Sequence, residues 1–312
     1  MSSPRIAVVV PCYNEEAAIA KVVTDFRASL PEATIYVYDN NSTDNTIRVA
    51  REAGAVVGSE LRRGKGAVVR RMFADVEADI YVLVDGDDTY EAAASRAMVD
   101  RLIAEKLDMI NGRRVTNIQA AYRRGHRFGN RMLTGIVQYI FGDPIDDLLS
   151  GYRVFSRRFV KSFPTIAEGF GIETEMTVHA LQLHMPVAEM PCAYKDRPAG
   201  STSKLRTYRD GILILKTILG LVRQEMPMTF FGIIAAVLGI FAIILAYPVV
   251  VTFAQTGLVP RFPTAILATG IVLAAFLSLT SGVILDSVTR GRWEVKRLQY
   301  LSLRSPFRDM GN

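Results

Sequence analysis

Two long stretches near the C-terminus carry no charged residue. Met226 to Pro260 contains none, and after Arg261 the stretch from Phe262 to Leu285 again contains none. Each stretch is longer than the roughly 20 residues that an α-helix needs to cross the hydrocarbon core of a bilayer. Buried core helices are the alternative, but soluble helices seldom lack a polar face over such a length. We therefore predict two transmembrane helices, at about 229–253 and 264–286.

Basic residues flank these stretches unevenly. The loop between them holds only Arg261, whereas five basic residues lie before the first stretch and six after the second: Lys204, Arg206, Arg209, Lys216 and Arg223, then Arg290, Arg292, Lys296, Arg297, Arg304 and Arg308. The positive-inside rule then puts both termini in the cytoplasm, as expected for a multi-pass protein of the plasma (inner) membrane. The net charge of +6 is explained by anionic lipid and an anionic substrate, so no nucleic-acid partner is expected.

The first 204 residues alternate strand and helix signals. Short β-branched runs such as RIAVVVP and DIYVLVD are each followed by polar or helical sequence. This alternation is typical of a mostly parallel, doubly wound α/β sheet. The N-terminal apolar run is too short for an export signal and is interpreted as the first strand. Cys12 and Cys192 are expected to be free thiols in a reducing compartment.

A polar motif follows each of the four predicted strands: PCYNEE, DNNSTDNT, LRRGKG and DGDD. Ligands of such sheets bind beyond the carboxyl ends of the strands, so we expect these motifs to meet at one crevice. The last motif contains Asp85, Asp87 and Asp88, and crowded carboxylates are stable where a divalent cation neutralises them. Mg²⁺ or Mn²⁺ is therefore predicted at Asp85 and Asp87. A polar turn with solvated acids is the alternative.

The third motif, LRRGKG, is rich in basic residues and glycine. It departs from the phosphate loop of nucleoside triphosphatases, because Gly66 stands where that loop has a metal-binding Ser or Thr. Its cations, Arg62, Arg63 and Lys65, suit a diphosphate, although an ordinary exposed turn has the same composition.

Five motifs in order resemble the GT-A domain of family-two glycosyltransferases: VVVPCYNEE, VYDNNSTDNT, RRGKGAVVR, ADIYVLVDGDDTY and DDLLSGYRVFSRR. With two C-terminal spans, the chain is more closely similar to the polyprenyl-phosphate hexosyltransferases, such as dolichyl-phosphate mannose synthases and bacterial undecaprenyl-phosphate glucosyltransferases. The resemblance implies a Rossmann-like α/β GT-A domain over 1–204, followed by an amphipathic interfacial helix over 205–225. Two transmembrane helices within 226–287 and a basic cytoplasmic tail over 288–312 would complete the chain.

The resemblance also implies which residues bind the nucleotide. Pro11, Tyr13 and Glu15 of PCYNEE would line the nucleoside pocket. Asp39 would reach the base, and Lys65 would contact the nucleotide.

A second group of matching residues would serve the metal, the sugar and the acceptor. Asp87 would bind the metal that bridges the donor diphosphate, and Asp85 would contact the ribose or the metal. Arg114 would meet an acceptor or donor phosphate, with Arg113 as its alternative. Three further positions would shape the sugar and acceptor site: Asp147, Ser150 and Glu173. The resemblance implies that four of these residues are catalytic: Asp85, Asp87, Arg114 and Asp147.

The segment KDRPAGSTSKL is similar to the family's Arg-x-x-Gly-x-Ser-Lys segment. This similarity implies that Arg197 and Lys204 lie near the lipid phosphate. This sequence has one residue more between Gly and Lys than the family's segment. The alternative is therefore a basic cluster near the membrane that contacts lipid head groups and does not bind the acceptor phosphate. Apolar residues then recur at steps of three and four from Leu205 to Val222, which predicts a helix lying along the membrane interface or packed on the soluble domain.

The expected reaction follows from the resemblance and from acceptor chemistry. A phosphate monoester is already anionic and needs little deprotonation to attack the anomeric carbon of a sugar. We expect inverting, metal-dependent transfer of a hexose from a nucleotide sugar, with UDP-glucose favoured, to undecaprenyl phosphate for cell-envelope glycan modification. A hydroxyl acceptor would need a general base, for which Glu173 and Glu175 are candidates.

Two other functions remain open at this point. One is a glycosyltransferase that acts on a glycan or a diacylglycerol, and the other is a non-catalytic membrane scaffold. A homo-oligomer is compatible with either. His126, His179 and His184 show no metal-ligand spacing and are interpreted as structural or surface residues.

Overall fold

The structure of the chain is a computed structural model that describes residues 3–115, 124–142, 145–164, 171–195, 219–305 and 307. Seven strands in these ranges form one sheet: β1 (Ile6–Cys12), β2 (Thr34–Asp39), β3 (Val56–Ser59), β4 (Ile80–Leu83), β5 (Met109–Val115), β6 (Arg153–Ser156) and β7 (Val187–Ala193). Within the same described ranges, seven helices lie between the strands: α1 (Ile19–Ser29), α2 (Thr46–Glu52), α3 (Lys65–Asp75), α4 (Ala94–Ala104), α5 (Arg124–Phe141), α6 (Arg157–Ser162) and α7 (Ile172–Gln182). Two long helices follow, α8 (Pro227–Thr256) and α9 (Phe262–Ser302).

The sheet is mixed but mostly parallel, with the strand order β3-β2-β1-β4-β6-β5-β7. β1 pairs in parallel with both β2 and β4, which aligns their carboxyl ends at one edge. β6 is antiparallel to both of its neighbours, β4 and β5. The predicted Rossmann-like α/β class is therefore confirmed, and β6 is the strand that carries the chain across the middle of the sheet in the opposite direction.

Both faces of the sheet are buried, and β1 shows how the sequence achieves this. Val8 and Val10 belong to the apolar cluster on one face, whereas Ala7 and Val9 belong to the cluster on the other. Successive side chains of a strand point to opposite faces, so a continuous apolar run is needed for a strand covered on both sides. This explains why β1 shows no alternation of polar and apolar residues.

The predicted pair of apolar helices is also confirmed. α8 and α9 are each long and apolar enough to cross a membrane, and almost none of their most apolar stretches is buried within the protein. Large apolar side chains such as Ile243 and Phe276 are more than half exposed. Residues 219–225, at the end of the predicted interfacial helix, are helical, whereas 205–218 lie outside the described residues.

The chain divides into two compact units, Leu215–Val295 and the remainder. The end of α9, from Lys296, therefore belongs to the unit that contains the sheet. Its Tyr300 hydroxyl donates to Asp108 Oδ2 at 2.7 Å, and the Arg158 guanidinium lies 4.3 Å from the Tyr300 ring centroid. Phe307 is buried in one of the two apolar clusters of the sheet. Part of the predicted C-terminal tail thus completes the core of the α/β unit.

Candidate active site

The polar residues that follow β1, β2 and β4 lie close together. Cys12 is opposite Asp39 in the register of β1 and β2. Burial raises the pKa of the Cys12 thiol, and four nearby carboxylates raise it further: Glu15, Asp39, Asp85 and Asp87. The acids that follow three strands therefore lie near enough to act on one thiol at the edge of the sheet where doubly wound folds bind their ligands.

The motifs after β1 and β2 provide a wall with one unsatisfied acceptor. Asp39 is 3% exposed, and its Oδ2 accepts the backbone N–H of Ser42 at 3.0 Å. Its Oδ1 is buried and has no hydrogen-bond partner among the described residues. Pro11 is half-buried, Glu15 is buried and Tyr13 is exposed. This wall therefore combines an exposed ring with a buried carboxylate oxygen that a ligand N–H or O–H would satisfy.

Asn40 fixes the basic loop that follows β3. Its side-chain amide donates to the carbonyls of Glu60 and Arg62, both at 2.8 Å, and its Oδ1 accepts the backbone N–H of Gly64 at 2.8 Å. Gly64 has φ +120°, a conformation that favours glycine, and it directly precedes α3. Lys65, the first residue of α3, is thereby held at the crevice.

Two of the three crowded acids are satisfied by neighbours of their own. Asp87 is 4% exposed and accepts the Thr89 hydroxyl at 2.6 Å. Asp88 accepts the Lys21 ammonium at 2.9 Å on the outer side of the turn. Local donors and cations therefore reduce the repulsion in the DGDD motif.

The third acid, Asp85, shares a lysine with Glu173. Lys65 Nζ lies 2.5 Å from Asp85 Oδ1 and 2.6 Å from Glu173 Oε1. Burial opposes the charge of Lys65, but the two carboxylates outweigh burial and hold the pKa of Lys65 well above its usual value. The second oxygen of Glu173 is buried and has no hydrogen-bond partner among the described residues. The cluster of Lys65, Asp85 and Glu173 thus joins α3, the end of β4 and the start of α7.

A second ion pair lies at the end of β5. The Arg114 guanidinium makes two bonds of 2.7 Å to the carboxylate of Asp147, and the Arg114 backbone N–H also donates to Asp147. Both side chains are largely buried, and the guanidinium lies 5.6 Å from the ring centroid of Tyr194. This bidentate geometry fixes the arginine in one orientation. Arg113 is half-buried and, as the preceding strand residue, projects from the opposite face of β5.

Ser150 and Gly151 bring the segment before β6 against the DGDD motif. The Ser150 hydroxyl donates to the carbonyl of Gly112 at 2.5 Å, and the Gly151 N–H donates to the Tyr90 hydroxyl at 2.9 Å. A Cβ atom on Gly151 would collide with the carboxylate of Asp85. Glycine is therefore needed at 151 for this close approach.

One buried residue of this region was not predicted from the sequence. Arg153 is fully buried and donates to the carbonyls of Ser150 and Leu148 and to the hydroxyl of Thr177, at 2.8–3.0 Å. Burial lowers its pKa to about 10. Arg153 therefore anchors the 148–150 segment from beneath. An arginine that opens a short strand looks like a surface residue, so the sequence carries little signal for this role.

The remaining predicted residues have less structural support. Arg197 and Lys204 lie outside the described residues.

Within the described ranges, no three carboxylate, imidazole or thiol groups form a complete metal site. Asp85 and Asp87 nevertheless supply hard oxygen atoms, and Asp85 already stabilises the ammonium of Lys65. This donor set fits a Mg²⁺ or Mn²⁺ ion, which Asp85 and Asp87 would help to hold.

Comparison with known proteins identifies the family of the chain. Residues 7–163 match the model of glycosyl transferase family 2. The chain is 33% identical to the glycosyltransferase AglJ of Haloferax volcanii over 304 residues, which cover 95% of this chain and 98% of that protein. It is 29% identical to the dolichyl-phosphate hexose transferase of the same organism over 220 residues, which cover 70% of this chain and 95% of that protein.

A solved structure shares the fold. Glucosyl-3-phosphoglycerate synthase from Mycobacterium tuberculosis, in complex with Mn²⁺, UDP and phosphoglyceric acid, superposes with a TM-score of 0.56 at 25% identity, covering 70% of this chain and 78% of that chain. Together with the family match, the near full-length similarity to AglJ and the acidic crevice at the strand ends show that this chain is a hexosyltransferase enzyme that belongs to glycosyl transferase family 2.

Proposed function

We propose that the chain transfers a hexose, with inversion, from a nucleotide sugar to polyprenyl phosphate at the cytoplasmic face of the plasma membrane. The observation that carries this proposal is the cluster of Lys65, Asp85 and Glu173 beside the Arg114–Asp147 pair, in a chain with two candidate membrane spans. Such a crevice combines cations for phosphates with acceptors for sugar hydroxyls. The polyprenyl product would serve cell-envelope glycan modification.

The donor side of the crevice suits a nucleoside diphosphate sugar. Asp39 Oδ1 would accept an N–H of the base, which would satisfy a buried oxygen. Lys65 would face the diphosphate, and the free oxygen of Glu173 would accept a hydroxyl of the sugar. UDP-glucose is the proposed donor, and the UDP complex of the synthase from Mycobacterium tuberculosis supports the nucleotide.

A divalent ion fits the same side. Asp85 and Asp87 would hold Mg²⁺ or Mn²⁺, which when bound neutralises charge on the leaving diphosphate. Lys65 would then lose its partner Asp85 but keep Glu173, so its charge stays in the crevice beside the phosphates.

The acceptor side requires positioning more than proton transfer. A phosphate monoester carries about −1.5 to −2 charges at neutral pH, so its oxygen attacks without a general base. Arg114 would orient that phosphate, with its own geometry fixed by Asp147. Ser150 would shape the adjoining surface, and Arg197 and Lys204 are proposed as further phosphate ligands.

The acceptor class is supported by a relative and by the two apolar helices. A protein 29% identical to this chain is named for transfer of hexose to dolichyl phosphate. A polyprenyl chain resides in the bilayer, and α8 and α9 would hold the enzyme there with its α/β unit in the cytoplasm.

A label-transfer assay tests the proposal. Detergent-solubilised protein is incubated with Mn²⁺, undecaprenyl phosphate and a panel of radiolabelled nucleotide sugars. We expect one donor, UDP-glucose, to label the lipid fraction, and Asp87→Asn to abolish the labelling. Asp100→Asn, which changes an exposed carboxylate on α4, serves as the matched control. Donor hydrolysis without labelled lipid would reject the lipid-phosphate acceptor. Absence of both labelled lipid and donor hydrolysis with every nucleotide sugar would reject the transfer reaction.

A further inference from the structure

The helical unit contains a cavity that the transfer reaction does not use. Its volume is about 370 Å³, within the range of small-molecule sites. The cavity lies within the unit Leu215–Val295, where Arg223 and Gln224 meet the start of α8 and the later turns of α9.

One face of α9 supplies much of the cavity wall. Leu285, Thr289 and Arg292 are spaced by four and three residues, so they project from the same side of the helix. Phe231 of α8 adds a second apolar surface. The wall therefore changes from apolar to cationic over two turns of α9.

Hydrogen bonds fix the polar end of this wall. The Thr289 hydroxyl donates to the carbonyl of Gln224 at 3.1 Å, and the Arg292 guanidinium donates to the same carbonyl and to the Thr289 hydroxyl at 3.2 Å. These acceptors are neutral, so they orient the guanidinium without cancelling its charge. Two acids of the same helix lie near Arg292 in sequence. Asp286 is paired with Arg290 at 2.8 Å, and Glu294 is two positions from Arg292, a spacing at which helical side chains do not face each other.

The side chains that line the cavity indicate which kind of anion it can bind. Arg223 and Arg292 both line it and bring two positive charges, whereas Phe231 and Leu285 line it with hydrocarbon. A soluble phosphate or a nucleotide would leave the apolar surface in contact with water. A lipid phosphate satisfies both parts, because its headgroup meets the arginines while its first carbons meet the apolar side chains.

We infer that this cavity binds the phosphate headgroup of an anionic glycerophospholipid from the surrounding bilayer. The inference rests on the membrane location proposed above for α8 and α9, and not on the transfer reaction. A bilayer phospholipid is favoured over the polyprenyl acceptor because it surrounds both helices at a far higher local concentration, which drives occupancy by mass action. The bound lipid would tie the ends of the two helices to the charged side of the membrane.

Trp293 provides a direct probe, because it is the only tryptophan of the chain and directly follows Arg292. The full chain is reconstituted in bilayers in which phosphatidylglycerol or phosphatidylcholine carries bromine near the headgroup end of the acyl chain. Bromine quenches tryptophan fluorescence on contact, so the ratio of quenching gives the relative binding of the two lipids.

We expect phosphatidylglycerol to be preferred, and we expect Arg223→Gln and Arg292→Gln each to reduce the preference about fivefold. Arg290→Gln removes a charge from an exposed, ion-paired residue of the same helix and should leave the preference unchanged.

Equal quenching by the two lipids, or quenching by neither, would overturn the inference. Relief of quenching by inorganic phosphate would replace the lipid with a soluble anion. Relief by a small fraction of undecaprenyl phosphate would assign the cavity to the acceptor instead of to the bilayer phospholipid. None of these quenching measurements depends on sugar transfer. A failure of the proposed transfer reaction would therefore be detected separately, in the labelling assay.

Discussion

Replacing Lys65 with methionine tests the cluster that organises the crevice. The substitution keeps the length of the side chain but removes a charge that lies 2.5 Å from Asp85 and 2.6 Å from Glu173. Two carboxylates would then face each other without a cation, and the Glu173 side chain is only 6% exposed. We therefore expect both stability and donor binding to fall.

The magnitude follows from burial. Breaking a buried ion pair by removing one partner costs about 3–5 kcal/mol. The Asp85 side chain is 29% exposed, so water screens part of the unpaired charge. We therefore expect the free energy of unfolding to fall by about 3 kcal/mol. For a unit of this size that corresponds to a drop in Tm of about 6–12 °C. Loss of a charge-assisted contact to the diphosphate should weaken UDP binding about 10- to 100-fold.

The chain's two cysteines make the stability change measurable. Cys12 and Cys192 are both buried in the α/β unit, so a thiol-reactive fluorophore reports the unfolding of that unit. Lys21→Met is the matched control, because Lys21 also pairs with two carboxylates but is 53% exposed. Exposed pairs contribute about 0–1 kcal/mol, so the control should shift Tm by less than about 4 °C. Equal shifts in the two variants would refute the buried Lys65 cluster.

Three further predictions concern other parts of the α/β unit. Tyr300→Phe removes the hydroxyl that bonds to the buried Asp108 carboxylate, so the same thiol assay should show a loss of about 1.5–3 kcal/mol, and an unchanged Tm would contradict the docking of the end of α9. Burial lowers the pKa of His179 to about 3, so the unfolded chain binds a proton below about pH 6.5 that the folded chain excludes. Stability present above that pH should therefore be lost as the pH falls, by about 2 kcal/mol at pH 5, and His179→Gln should flatten this dependence of Tm on pH. Gly151→Ala should displace the Asp85 carboxylate and weaken metal-dependent UDP binding in calorimetry, and because Asp85 is paired with Lys65 it should also lower stability, by less than the about 3 kcal/mol expected for Lys65→Met.

The sequence predicted the features that depend on local pattern. Short β-branched runs indicated the strands of a mostly parallel sheet, and the charge-free stretches indicated α8 and α9. The motif after each strand indicated the edge of the sheet at which the acids converge around Cys12. These features follow from the two-residue period of strands and from helix length, which a single sequence displays.

Such patterns do not predict contacts between residues that are far apart in the sequence. Lys65 and Glu173 are 108 positions apart, and Tyr300 and Asp108 are 192 positions apart. Neither pair has a local signature, because each partner alone resembles an exposed polar residue. The antiparallel direction of β6 was missed for a similar reason, since pairing direction is set by the route of the chain and not by the composition of a four-residue strand.

The central claim is that the acceptor is a lipid phosphate, and competition between acceptors tests it most directly. Vesicles containing the full chain receive Mn²⁺, labelled UDP-glucose and equal amounts of undecaprenyl phosphate and diacylglycerol, and the labelled lipids are separated by chromatography. The proposed mechanism predicts label only in undecaprenyl phosphate, because its anionic oxygen needs no general base. Label in diacylglycerol, with the polyprenyl lipid unlabelled, would contradict it.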